Sequence, residues 1–260
     1  MYLIDTHTHL FVNEFDNDRT QVIEKAIESG ILKMILPGIN SSYIEIQNTI
    51  SRNYPNNCYM AAGLHPSDVK ENFMDELTII EEEIKTGKYI ALGEIGIDLY
   101  WDKTYEQFQK IAFDRQILLA KKYELPIIIH VRNSFDEIFK IIDKHMDNNL
   151  FGIFHSFTGT LNQAEKIIDY KNFKLGINGI ITFKNNDIAN IVKQIDIEHI
   201  VLETDSPYLS PVPNRGKRNE SANLTYIAKK IAEIKHLHLE DLAETTNKNA
   251  IAIFGNKLLI

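Results

Sequence analysis

Two histidines close the first apolar run of the chain, in "LIDTHTHLF" (3–11): His7 and His9, with Asp5 just ahead. Later apolar runs also finish in groups able to bind a cation or move a proton. "GLHP" ends in His65, "LGEIG" holds Glu94, "PIIIHV" ends at His130, "LFGIFHS" at His155, and "HIVLETD" at Asp205. Imidazole nitrogens and carboxylate oxygens brought to short mutual range form a divalent-metal site. One histidine alone is weak evidence, and the chain supplies its own comparison. "HLHLEDL" contains a second pair, His236 and His238, but it follows a helical run and precedes an acidic helix start, so it reads as a solvated connection. His145, late in a helical segment, and His199, at a strand entrance, lie at the wrong end of their elements to join the set.

Convergence of these residues requires elements that all finish on one rim. Eight short runs rich in Ile, Val or Leu recur along the chain, at 2–7, 32–38, 58–65, 89–96, 126–131, 150–156, 173–180 and 199–205. Several are too continuously apolar for half-exposed strands and read as strands buried on both faces of a parallel sheet. Helical spacing fills the gaps. "RTQVIEKAIESG" groups Val22, Ile23, Ala26 and Ile27, with Gly30 as its stop. "YEQFQKIAFDRQILLAKKYELP" predicts an apolar side of Phe108, Ile111, Ala112, Ile117, Leu118 and Ala120, ending before Pro126. Ser134 with Glu137 has the pattern of a capping box. Strand and helix alternating eight times predict an α/β fold, a (β/α)8 TIM barrel forming a single domain over 1–260, with an open doubly wound sheet as the alternative. In such a barrel the ligand site lies at the carboxyl ends of the strands. Residues i and i+2 of a strand share a face, so His7 and His9 are expected to point into the mouth and Thr8 away from it.

Composition narrows the function classes. A 260-residue chain with 44% hydrophobic and 25% charged residues is ordinary for a globular protein. The formal net charge of −8 repels polyanions, so a nucleic-acid substrate would need bound metal and a local basic patch. The single cysteine, Cys58, permits no internal disulfide and reads as a buried thiol. Together with an amino terminus lacking the pattern of a signal peptide, this favours a cytoplasmic location. No apolar run approaches the roughly 18–20 residues of a membrane span.

Six motifs in order, "DTHTHL", "AAGLHPSD", "ALGEIGIDLYWD", "LPIIIHVRNSFDE", "FHSFTG" and "LETDSPYLSP", together with the closing "NAIAIFG", resemble the TatD-type metal-dependent deoxyribonucleases over nearly the whole chain. The resemblance implies an amidohydrolase-like TIM barrel and a divalent-metal nuclease, typically a 3′→5′ exonuclease on single-stranded DNA and in some members RNA. It also implies a link to DNA repair. By that resemblance His7, His9, Glu94, His130, His155 and Asp205 are ligands of two divalent metal ions, with Glu94 bridging. His7, His9 and Asp205 are assigned to one ion and His130 and His155 to the other, and Asp205 orients or deprotonates a water. His65 stands as leaving-group acid or phosphate donor, and Arg132 as a phosphate contact or a partner in a structural ion pair. Asp98 reads as a loop brace or a catalytic group, Glu203 as the residue orienting a ligand histidine, and Asp5 is left unassigned. Arg215, Lys217 and Arg218 make "SPVPNRGKRNE" the loop dense in cations, suited to a nucleic-acid backbone. Tyr100, Trp101, Phe157, Phe183 and Tyr208 are candidates for stacking on bases. Four imidazoles favour Zn2+ or Mn2+ over Mg2+, whereas the resemblance implies Mg2+, so Mg2+, Mn2+ and Zn2+ all stay open.

Two rivals compete with a nuclease. A hydrolase of C–N or ester bonds, including one that deacylates aminoacyl-tRNA, shares the histidine framework, but many such enzymes bridge their metals with a modified lysine where this chain has Glu94. A non-catalytic metal-binding protein would be expected to have lost a ligand. No obligate protein partner is implied.

Overall fold

Strands that bury both faces need neighbours on both sides and cover above and below. In the computed structural model, which describes residues 1–259, all eight strands find them. They are β1 (Leu3–Asp5), β2 (Ile31–Leu36), β3 (Cys58–Ala62), β4 (Ala91–Asp98), β5 (Ile127–Arg132), β6 (Gly152–Phe154), β7 (Phe173–Ile177) and β8 (Ile200–Leu202). They pair in parallel in chain order from β1 to β8. The ring is drawn together between its ends by backbone hydrogen bonds: Thr6 N–H donates to Leu202 O (3.0 Å), Asp205 N–H to His7 O (2.9 Å) and His9 N–H to Ser206 O (2.7 Å). Seven helices connect successive strands: α1 (Arg19–Glu28), α2 (Ile44–Asn53), α3 (Phe73–Ile84), α4 (Glu106–Lys122), α5 (Phe135–His145), α6 (Leu161–Asp169) and α7 (Ile188–Gln194). Two more, α8 (Leu224–Lys235) and α9 (Leu239–Phe254), follow β8.

The core has two layers. The larger joins the outer faces of the strands to the helices. The smaller takes Ile4, Ile35, Ala61, Ala91, Ile128, Ile153 and Val201 from seven different strands. Residues contributed one per strand can meet only inside the ring. Ala250, Ile253 and Phe254 of α9 join them, so the last helix plugs the amino-terminal end of the barrel. The opposite, carboxyl end is left for the site.

Local details differ from the sequence reading in instructive ways. Gly30, at φ +86°, does end α1, and its N–H donates to Ile27 O (2.9 Å). Ser134 forms no capping box; its hydroxyl donates instead to Ile97 O (2.6 Å), tying α5 to β4. The capping box belongs to Thr160 and Gln163 at α6. On α4, Ile111 and Leu118 are exposed, and the buried side includes Gln109 and Gln116. These amides serve the rim. Gln109 accepts from Asp98 N–H (2.9 Å), and Gln116 accepts from Leu64 N–H (2.8 Å), next to His65.

Candidate metal centre

Only Glu94 and His130 lie within strands; His7, His9, His65, His155 and Asp205 stand on the chain just past β1, β3, β6 and β8. Strand alternation still aims three of them. From the interior residues Ile128, Ile153 and Val201, steps of two lead to His130, His155 and, through Glu203, Asp205. The first strand breaks the rule. Alternation continued from Ile4 would bring Thr6 and Thr8 inward and turn both histidines out. The strand ends at Asp5, and the loop resets the phase. Thr8 then meets Ser206 (Oγ1–Oγ 2.7 Å) and Ser221 (3.0 Å), while His7 and His9 turn to the centre with Nε2 atoms 3.1 Å apart. Asp205 has φ +56°, a left-handed conformation that aspartate tolerates better than most residues.

Glu94 is the hub. One carboxylate oxygen faces His7 Nε2 (3.1 Å) and His9 Nε2 (3.7 Å). The other faces His130 Nδ1 (2.5 Å), His65 Nε2 (3.3 Å) and His155 Nε2 (3.8 Å). Asp205 Oδ1 lies 3.2 Å from His9 Nε2, 3.7 Å from His155 Nε2 and 3.8 Å from His7 Nε2. The rings of His7 and His155 stack at 3.4 Å. His155 therefore stands between the two sets: its Nε2 shares a Glu94 oxygen with His130, while its ring lies against His7 and near Asp205.

This donor set fits divalent cations. Two neutral imidazoles whose Nε2 atoms are 3.1 Å apart share at most one hydrogen, yet both are buried, and their Nδ1 atoms find no partner among the described residues. Burial and the nearby His155 push His7 down to about 3, so it is neutral with a lone pair to offer. Burial opposes charge on His130 and His155 as well. Asp98 and Glu94 outweigh it for His130, raising it to about 9, and Glu203, Glu94 and Asp205 raise His155 to about 10. Both rings thus lie among anionic groups that favour positive charge at their position. Burial works against ionised Glu94, but His65, His7 and His155 draw its pKa well below the usual carboxylate range.

Hydrogen bonds behind the rings decide which nitrogen each presents. Glu203, fully buried, accepts from His155 Nδ1 (3.1 Å) and from Ser156 N–H (2.6 Å), leaving His155 Nε2 for the centre. Asp98 Oδ2 lies 3.0 Å from His130 Nε2, which leaves His130 Nδ1 for the centre. Such carboxylate–histidine pairs orient ligand rings. Asp98 also accepts from Tyr100 N–H (2.9 Å) and Trp101 N–H (3.3 Å), so it braces its loop and positions His130 together. His65 differs. Its Nδ1 accepts from Ser67 N–H (3.1 Å), so in the neutral ring the proton sits on Nε2, facing Glu94. Proximity groups His65 with Glu94 and His130 as a possible ligand, but a protonated Nε2 is a donor, not a ligand. Asp5 lies outside the centre. It accepts from Thr204 N–H (2.9 Å) and Thr204 Oγ1 (2.6 Å), joining β1 to the end of β8, and burial pushes it up to about 7.

The centre floors an open cavity of about 1080 Å3. Arg132, Trp101 and Tyr208 line it, and among the described residues no lysine does. Three other predicted contacts lie off the cavity lining. Arg215 is exposed outside the cavity lining, with its guanidinium 3.7 Å above the Phe183 ring. Arg218 is committed to a two-pronged pair with Asp18 (2.9 and 2.6 Å), and Phe157 is buried against Phe135. His236 and His238 are exposed, and His145 pairs with Asp114 (2.8 Å).

Known proteins share this architecture. The family described as TatD related DNase matches residues 4–255. YabD of Bacillus subtilis, an uncharacterized metal-dependent hydrolase, is 36% identical over 97% of this chain and 98% of its own. The 3′-5′ ssDNA/RNA exonuclease TatD of Pantoea ananatis is 27% identical over 97% of this chain and 99% of its own. Among solved structures, YjjV of Escherichia coli, a TatD homologue, superposes with a TM-score of 0.91 at 27% identity, covering 97% of each chain. With the barrel, the buried histidine–carboxylate centre and a match running through both, the chain belongs to the TatD family of metal-dependent hydrolases.

Proposed function

We propose that this chain is a nuclease that hydrolyses phosphodiester bonds of single-stranded DNA, and of RNA in second place, working from the 3′ end. The observation that carries the reading is Glu94, one carboxylate shared between two sets of imidazoles on the floor of an open cavity with a guanidinium at its rim. A relative bearing the name of a 3′-5′ ssDNA/RNA exonuclease supports the same substrate. His7, His9 and Asp205 would hold one divalent ion and His130 and His155 a second, with Glu94 shared between the two sets. When bound, two such ions supply charge stabilisation of an in-line displacement and a water acidic enough to act as nucleophile near neutral pH.

The chain's own residues do the rest. Burial disfavours charge on Asp205, yet His155 and His9 keep its pKa below the ordinary value, so it stays ionised to orient the attacking water and accept its proton. His65, with its proton on Nε2, donates to the leaving oxygen. Arg132 rests on the Tyr100 and Trp101 rings and makes no ion pair among the described residues, so its guanidinium edge is free to take a phosphate oxygen. Arg215 can meet only a strand that runs out beyond the mouth.

The test is digestion of end-labelled strands by the pure chain loaded with Mg2+, Mn2+ or Zn2+, one substrate being blocked at its 3′ end. The expected result is stepwise loss of nucleotides from the free 3′ end, abolished by chelation and by the 3′ block. Intact DNA and RNA alongside cleavage of an amide or lactone would overturn the nuclease reading in favour of the amidohydrolase one. Internal fragments from the blocked strand would replace the exonuclease mode with an endonuclease one.

A further inference from the structure

Trp101 is the chain's one tryptophan and is 70% exposed, on the loop after β4. Its neighbour Tyr100 is 54% exposed, and the two rings meet edge to face at 4.9 Å. Arg132, at the end of β5, lays its guanidinium 4.2 Å from the Tyr100 ring centre and 5.0 Å from that of Trp101. A cation held on aromatic faces with no carboxylate partner keeps its hydrogen-bonding edge free. Asp98 fixes the group: it accepts from the N–H of both aromatic residues and orients His130, two residues before Arg132. One carboxylate thus ties the position of the rings to that of a ligand histidine.

We propose that Tyr100, Trp101 and Arg132 form a nucleotide clamp, in which an unpaired base stacks on the Trp101 indole while Arg132 takes an adjoining phosphate. The proposal rests on the nuclease reading and deepens it. Every base offers a π face, so stacking tolerates any sequence, but only an unpaired base can leave its neighbours to occupy the indole. The clamp thereby selects single strands. It also supplies local attraction for a polyanion in a chain of net charge −8. An aliphatic amide or lactone would make no use of the indole.

Because Trp101 is the one tryptophan, its fluorescence reports on the clamp without any cleavage. The full chain with Mg2+ is titrated with short phosphorothioate oligodeoxyadenylates, which resist hydrolysis, and with strands of the same length carrying abasic residues. Base-bearing strands should quench the indole strongly, and abasic strands should quench it little and bind more weakly. Trp101→Ala should weaken binding of a dye-labelled strand by roughly five- to a hundredfold, the loss of one stacked base, and Trp101→Phe should restore most of it. Arg132→Ala should weaken base-bearing and abasic strands alike. Equal quenching by both strands, or none, overturns the clamp, as does unchanged affinity in Trp101→Ala. Quenching by the phosphorothioate strand, with its unmodified phosphodiester counterpart never cut by the metal-loaded chain, defeats the nuclease reading and leaves the clamp standing; cutting of that counterpart without quenching does the reverse.

Discussion

Replacing Glu203 with glutamine alters no volume and removes one charge, so it isolates what this carboxylate does for the centre. Its two oxygens accept from His155 Nδ1 at 3.1 Å and Ser156 N–H at 2.6 Å, and no part of the residue reaches solvent. A carboxamide has one acceptor oxygen. If that oxygen keeps Ser156, the amide NH2 faces His155 and favours the tautomer with its proton on Nε2, pointing at Glu94 and Asp205. If it keeps His155, the Ser156 N–H is left facing a donor. Either way one hydrogen bond to a charged acceptor is lost, worth about 1.5–3 kcal/mol. In the first case a metal-binding lone pair is lost too. Glu203→Gln is therefore expected to lower metal affinity and hydrolytic turnover by roughly 10- to 100-fold, while the barrel keeps its secondary structure. Isothermal titration with Mn2+ or Zn2+ measures the affinity, and histidine NMR of the Zn2+-loaded chain reports which His155 nitrogen keeps its proton. Wild-type affinity with an unchanged tautomer would refute the idea that Glu203 sets the His155 ring.

Three further outcomes follow from the same geometry. Asp205→Asn should keep the fold and abolish hydrolysis of end-labelled single strands under conditions where the parent is active; residual turnover above a few per cent would remove Asp205 from the reaction. Gly176→Ala places a methyl 2.3 Å from the Glu203 carboxylate, so β7 or Glu203 must move; we expect a loss of about 1–3 kcal/mol in urea unfolding, with weakened metal binding that a distant core mutation of equal cost would not show. The metal-free chain should show a specific pH profile in thermal denaturation. His130 and His155 titrate in the fold near 9 and 10, above the ordinary histidine value of 6.5, so their contribution is full below about 6.5 and lost as pH rises through 9 to 10. Saturating divalent metal should displace those protons and flatten this alkaline decline; a decline unchanged by metal would separate these histidines from the metal site.

The barrel and most of its centre were legible in the sequence because both rest on local periodicity. Continuous apolar runs fix strands buried on two faces, and polar groups at their ends must share a rim once the strands are parallel. His130, His155 and Asp205 follow strand alternation from interior residues and so were readable by counting. His7 and His9 were identified for a reason that the structure replaces: they leave strand geometry after Asp5, and contacts of Thr8 with Ser206 and Ser221, some 200 residues away, turn them inward. Contacts at that separation leave no trace in local pattern. The same holds for the stacking of His155 on His7, the tautomer of His65 set by Ser67, and the split between Arg132, free on its aromatic rings, and Arg218, consumed by Asp18. Gln109 and Gln116 did leave a faint sign, two amides spaced seven apart on the apolar side of α4, but the backbone groups they hold belong to other loops. Residue type and spacing determined which atoms this protein can offer a cation; only tertiary packing decided which lone pairs and which charges are left free to be offered.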